Sequence, residues 1–214
     1  MATTTMVEDR TPMRWNWLVR SRAWVSLLII APFAIGCVFS KPPAVEGSWG
    51  DLGCDFIGWF LFMVGAGWRW WATIYIGGRK HWMIVTDGPY SVCRNPLYVG
   101  TLFMSLAVVF FLESFTLGLG LILMSGYYLS ITVLTEEQML REKFGQPFDE
   151  YCQRVPRFWP RFRLLQTPQK LIVSVRGLWS EAMRTSRWLW LPVLCELVSY
   201  LRAEAWWPRL FHLP

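Results

Sequence analysis

Charge is scarce in this chain. Only 17% of its 214 residues are Asp, Glu, Lys or Arg, against about a quarter in an ordinary soluble domain. Histidine is scarcer: His81 and His212 are the only two, so a multi-histidine metal centre within one chain is excluded. No Gly-x-Ser-x-Gly elbow accompanies either histidine as the base of a serine triad. The five cysteines, Cys37, Cys54, Cys93, Cys152 and Cys195, are odd in number and contain no C-x-x-C pair. Neither a disulfide framework nor a zinc knuckle is indicated. Phosphate-cradling loops are missing too: there is no P-loop, and Gly65-Ala66-Gly67 lies inside an apolar, helix-like run rather than after a strand.

What the chain has in excess is apolar surface. It is 54% hydrophobic and 17% aromatic, with 15 tryptophans. A soluble domain of this size cannot bury so much, and a disordered chain would not contain it. The expectation is an all-α, polytopic integral membrane protein. Four stretches are near the roughly 20 residues that cross a bilayer as a helix: 23–40, 52–76, 95–112 and 114–135. Only Leu112-Glu113-Ser114 separates the last two, which predicts a tight antiparallel hairpin. The first stretch follows a long basic lead without a small-x-small cleavage site, so it is expected to stay as a membrane helix.

The net charge of +6 follows the spans. Arg10, Arg14, Arg20 and Arg22 precede the first, and Arg79, Lys80 and Arg94 lie between the second and third. Basic residues return after the fourth, whereas the loop between the first two spans carries only Lys41. This pattern places both termini and the second loop in the cytoplasm, and it accounts for the charge without nucleic acid. Residues 1–22 are then a cytoplasmic tail, 23–163 the membrane domain and 164–214 a Trp- and Arg-rich extension. Within the extension, 188–201 is apolar but short, and is expected to lie in the membrane interface. Gly145 and Pro147 end the polar helix that continues span four, and Pro156 and Pro160 impose extended chain.

Three features point to chemistry. The segment from Asp87 to Gly100 packs turn residues and aromatic hydroxyls directly against a span. Its Arg94 serves either as a cytoplasmic anchor or as a donor fork for an anionic ligand group. Glu136 and Glu137 form an acidic pair at the end of span four. Glu137 is placed to bond Arg141 at i, i+4, which leaves Glu136, about 100° away on the helix, to face the Arg94 loop. Arg69 sits within span two between Trp68, Trp70 and Trp71. It either snorkels to the interface or faces inward to hold an anionic substrate group, with the tryptophans lining the way in.

In order along the chain stand Gly88-Pro89-Tyr90, Arg94-Asn95-Pro96-x-Tyr98-x-Gly100, Glu136-Glu137-x-x-Leu140, Phe144-Gly145, Tyr151 and Val155-Pro156-Arg157. This series, over residues 50–163, resembles the isoprenylcysteine carboxyl methyltransferase superfamily, which includes the phospholipid N-methyltransferases. The resemblance implies a membrane methyltransferase that uses S-adenosylmethionine on the cytoplasmic side and needs no metal. Its acceptor is a membrane lipid or lipid-linked group, methylated on a carboxylate or an amine. It also implies cofactor-binding roles for Pro89, Tyr90, Arg94, Asn95, Pro96, Tyr98, Gly100, Glu136, Glu137 and Tyr151. Arg69, Glu137 and Arg157 are the residues expected to act on the substrate. The family usually has His where this chain has Asn95, so a titrating role there is excluded. The alternatives are a membrane reductase or a non-catalytic protein of the same hairpin design. The short chain disfavours the first and the retained Arg94, Tyr98, Glu137 and Arg157 disfavour the second.

Overall fold

The computed structural model describes residues 13–45, 47–77 and 83–211, with side-chain surroundings from residue 24 onward. Arg10, Arg79, Lys80, His81 and His212, and the side chains of Arg14, Arg20 and Arg22, lie outside the described residues. No strand occurs among the described residues, as the sequence implied. The helices are α1 (Met13–Val38), α2 (Trp49–Ile76), α3 (Pro89–Val92), α4 (Pro96–Phe111), α5 (Phe115–Tyr128), α6 (Leu134–Phe144), α7 (Gln146–Arg154), α8 (Val175–Trp188) and α9 (Trp190–Ala203). A π-helical turn, Leu129–Val133, joins α5 to α6 without a break, and a 3-10 turn, Phe162–Leu164, follows α7.

The apolar helices pack side by side, α2 chiefly against α4, α1 against α5, and α4 against α5 as the expected hairpin. Glu113 turns that hairpin with a φ of 46°, and Ser114 caps α5 by accepting from the Leu117 amide at 3.2 Å. Phe62, Met104, Phe111 and Leu117 fill the core between them. Other apolar side chains on the same helices face outward: Leu28, Phe56 and Ile122 are each about 70% exposed. Such a belt is costly in water and natural in lipid. Among the described residues, the continuous Phe115–Phe144 helix of 30 residues is both long and apolar enough to cross a bilayer. Trp24–Val38 and Pro96–Phe111 are apolar but shorter.

Small residues set the close approach of α2 and α4. A Cβ on Gly65 would sit 2.6 Å from the Gly100 carbonyl oxygen and 2.7 Å from Met104 Cγ. Backbone contact of this kind is how helices associate where lipid removes the hydrophobic drive. Gly65→Ala is therefore expected to lower stability by about 1–3 kcal/mol, read as a lower unfolding midpoint in detergent.

The C-terminal extension is part of this bundle. On α9, Cys195, Leu191 and Val198 pack into the core with Phe111 and Leu112. The Arg202 side chain is 1% exposed and donates to the carbonyls of Ser40 and Leu112. Beyond it, Trp207 Nε1 donates to the Val38 carbonyl at 2.8 Å. The extension thus supplies donors to carbonyl groups at the ends of α1 and α4, where helices lack their own.

Candidate functional site

At the opposite end of α4, three separate stretches converge. The first is the loop from Gly88 to Asn95. Gly88 has a φ of 58°, and a Cβ there would strike the Tyr75 ring at 2.4 Å, so the turn requires glycine. Pro89 starts α3 and Pro96 starts α4, the position where a missing N–H costs nothing. The second stretch is α6, entered through the π turn. The third is the chain from Tyr151 to Gln166, laced to the loop through its backbone. Arg94 N donates to the Pro156 carbonyl (2.8 Å), Arg161 N to that of Val92 (3.0 Å), and Gly88 N to that of Gln166 (2.7 Å). Tyr151 Oη adds a bond to the Tyr90 carbonyl at 2.7 Å.

Glu137 is the hub. Its side chain is 8% exposed, and it pairs with Arg94 Nη1 at 3.3 Å and Arg157 Nη2 at 2.8 Å. Arg157 Nε adds a contact of 3.1 Å. Asn95 Nδ2 donates to Oε1 at 3.4 Å and to the Arg157 carbonyl at 3.3 Å. The sequence-derived set Arg94, Asn95, Glu137, Tyr151 and Arg157 is thus brought together, with Pro89, Tyr90 and Pro96 buried in the same loop. Tyr98 stacks edge-on with Tyr128 at 5.8 Å. Glu136 is half-buried beside the site. Of the acidic pair, Glu137 is the member that faces the Arg94 loop. Arg141 does not pair with it but with Asp149, at 2.6 Å, because α7 folds back after the Gly145 turn.

The π turn explains the aim of Glu137. One extra residue in a helical turn rotates everything after it by about 100°. Ser130 and Thr135 bond back to the carbonyls of Gly126 and Ile131, the hydroxyl pattern that loosens a helix locally. That Ser-x-Thr-x-x-Thr run was the available sequence signal for the π turn.

Two buried polar atoms at the site lack a hydrogen-bond partner: Arg94 Nε and Tyr90 Oη. Burial pushes the Tyr90 and Tyr151 phenols above their ordinary range, so both stay protonated donors. Burial likewise pushes the Cys93 thiol up to about 12, so no thiolate nucleophile is present there at neutral pH.

Arg69 lies apart from this hub. Its Nε donates to Glu181 Oε1 at 2.8 Å and Nη2 to Oε2 at 3.2 Å. Nη1 donates to Thr101 Oγ1 at 2.7 Å, and its stem fills the space left by Gly100. Arg184 Nη1 also reaches Glu181 Oε2, at 2.6 Å. Arg69 thus faces inward, and its partner is a carboxylate from α8. Glu181 went unnoticed in the sequence because it stands 112 residues away in a segment without a motif.

The phospholipid methyltransferase family model matches residues 55–147. The nickel-cobalt-cadmium resistance protein NccN of Alcaligenes xylosoxydans xylosoxydans is 33% identical over 147 residues, 68% of each chain. The cobalt-zinc-cadmium resistance protein CzcN of Cupriavidus metallidurans is 31% identical over 184 residues, covering 85% of this chain and 83% of that one. The protein-S-isoprenylcysteine O-methyltransferase of Schizosaccharomyces pombe is 33% identical over 78 residues, 36% of this chain and 33% of that enzyme. The chain belongs to the isoprenylcysteine and phospholipid methyltransferase superfamily. No solved structure matches it. The superfamily match begins at α2 and ends at Pro147, so it spans the Arg94 loop and Glu137. Tyr151, Arg157 and Glu181 lie beyond it.

Proposed function

We propose that the protein is an S-adenosylmethionine-dependent membrane methyltransferase whose acceptor is a lipid or a lipid-linked group. The observation that carries this reading is the Arg94–Asn95–Glu137–Arg157 cluster, which retains buried polar capacity at Arg94 Nε and Tyr90 Oη. Buried donors without partners are rare in proteins, and here they suit a polar ligand seated against the loop. When bound, the cofactor supplies a methyl group already activated on a sulfonium, so the protein's tasks are to position and desolvate.

Pro89, Tyr90, Arg94, Asn95, Pro96 and Tyr98 would hold the cofactor from the loop side, and Glu136 and Tyr151 from α6 and α7, whereas Gly100 is closed off by Arg69 and Gly65. Glu137 is saturated by its cationic and amide partners and acts by fixing Arg94 and Arg157. Glu136 has no ion pair with a described residue and is the carboxylate open to take a proton from an amine acceptor. Arg157, with a side chain 41% exposed, is the arginine open to orient an anionic acceptor, since Glu181 already engages Arg69.

We further propose four spans: α1, α2, α4 and the continuous α5–α6 helix. The N-terminal end of α1 and the site then face the cytoplasm, with residues 1–22 as the tail, 23–163 as the membrane domain and 164–214 as the extension. The C-terminal end departs from the sequence expectation, because Arg202, Trp207 and Phe211 bond to residues 38–40 and Leu112 at the opposite end of the bundle. The polar cofactor would arrive from the cytosol and the acceptor sideways through the bilayer. Titration of the purified full chain in detergent with S-adenosylhomocysteine tests the enzyme reading. Micromolar binding, weakened at least tenfold by Arg94→Ala, is expected. No heat signal and no thermal shift with this ligand or with S-adenosylmethionine would sink it.

A second reading rests on the names of NccN and CzcN: methylation by this protein contributes to tolerance of nickel, cobalt, zinc or cadmium. Among the described residues no group of three or more His, Cys, Asp and Glu could hold a metal ion, so the contribution proposed is a modified membrane component and not ion capture. Unchanged growth of a deletion strain on all four metals would reject it.

A further inference from the structure

The whole-chain charge of +6 is concentrated in one segment. Residues 156–188 carry seven basic side chains and one acid, and that acid, Glu181, is buried against Arg69. Arg161, Arg163, Lys170 and Arg176 are exposed and form no ion pair with a described residue. Interleaved with them, Trp159, Phe162, Ile172, Val175 and Trp179 each expose 60% or more of their surface. Apolar and basic residues mixed along one exposed segment, with no exposed carboxylate, fit an anionic membrane surface.

Within this segment the 3-10 turn borders an open cavity of about 600 Å³ lined by Arg161, Phe162, Arg163 and Leu164. Phe162 stacks edge-on with Trp68 of α2 at 5.9 Å, and Trp68 in turn with Trp71 at 5.4 Å. The Trp68 indole N–H is buried without a partner. The segment is tied to the Arg94 loop through Arg161 N, which donates to the Val92 carbonyl. The open cavity therefore combines two unpaired guanidinium groups with the Phe162 ring, which connects it to the tryptophans of α2. A lone phosphate would use the first and leave the second idle.

We propose that this cavity binds an anionic phospholipid. Arg161 and Arg163 hold the headgroup phosphate, and Phe162, Leu164 and Trp68 flank the first part of its chains. The lipid is a standing ligand of the interface and not the methyl acceptor; the inference needs only that the protein is in a membrane, and it survives failure of the methyltransferase reading.

The test uses the purified full chain in neutral detergent, with tryptophan fluorescence and thermal unfolding as readouts. The probes are short-chain phosphatidylglycerol, which has no amine to methylate, the matching phosphatidylcholine, and inorganic phosphate. Phosphatidylglycerol is expected to bind at least tenfold tighter than phosphatidylcholine, with inorganic phosphate failing to compete at the same concentration. Arg161→Gln/Arg163→Gln should weaken phosphatidylglycerol about 25-fold, from about fivefold for each basic residue at an anionic surface, and weaken the net-neutral phosphatidylcholine less, so that the preference between the two lipids falls. Phe162→Ala should weaken both lipids. S-adenosylhomocysteine binding measured on the same samples reports separately on the methyltransferase site and on folding. Equal affinity for the two lipids, or a double variant that binds S-adenosylhomocysteine and keeps its lipid preference, overturns the proposal. Inorganic phosphate matching phosphatidylglycerol reduces the site to an anion site and overturns it too.

Discussion

Glu137→Gln is expected to abolish cofactor binding, with an affinity loss of about 100-fold or more, and to cost about 2–4 kcal/mol of stability. The carboxylate sits among Arg94, Arg157 and Asn95, itself nearly inaccessible. Removing its charge leaves Arg94, whose side chain is 14% exposed, without its counter-ion. Breaking one side of a buried pair costs about 3–5 kcal/mol. The lower range is used because Arg157 is 41% exposed and can turn to solvent. The affinity loss has a separate origin. Glutamine is nearly isosteric, but its amide presents N–H where Arg94 or Arg157 needs an acceptor, so the Arg94 loop loses its fixed position. Preorganised donors are worth most when they need no rearrangement on binding. Calorimetry with S-adenosylhomocysteine and unfolding in detergent check the two effects separately. A variant that unfolds earlier yet binds normally would make Glu137 a structural residue only.

Glu181→Leu carries the other large expectation, a loss of about 3–5 kcal/mol. Arg69 belongs to an apolar helix, and its charge inside the bundle is tolerable only with a partner. Glu181 supplies a two-point contact to that arginine and is 2% exposed. Its second partner, Arg184, is 45% exposed and would move into solvent when released. Arg69→Leu should cost less, because Arg184 remains a partner of the Glu181 carboxylate. The double variant Arg69→Leu/Glu181→Leu should recover most of the loss, since a buried pair replaced by apolar residues is often neutral. Unfolding midpoints for the four proteins give the coupling directly. Additive losses would mean that the two residues act independently.

The sequence readily disclosed what local chemistry determines. Gly145, at a φ of 61°, stops α6 where expected. The Leu112-Glu113-Ser114 turn makes the hairpin. The convergence of Arg94, Glu137 and Arg157 was legible only through the order of small motifs, since none of those residues is near another in the chain. What stayed hidden depends on distance or on a small distortion. Arg69 was open to two orientations because nothing in α2 reveals a partner 112 residues downstream. The choice between Glu136 and Glu137 turned on a π turn that shifts the helical phase without altering its hydrophobicity. The extension, read as interfacial, had no motif to announce that Cys195 and Arg202 enter the bundle.

Arg202 has a kinetic consequence. Its two carbonyl partners lie 162 and 90 residues earlier in the chain. The Trp207 contact to α1 spans 169 residues. Contacts so far apart in sequence are slow to find because the intervening loop must close first. The hairpin of α4 and α5, whose turn is three residues long, can form early and by itself. The ends of α1 and α4 remain open until residues 202–207 reach them, so closure at that end is expected to be the last and slowest event in folding.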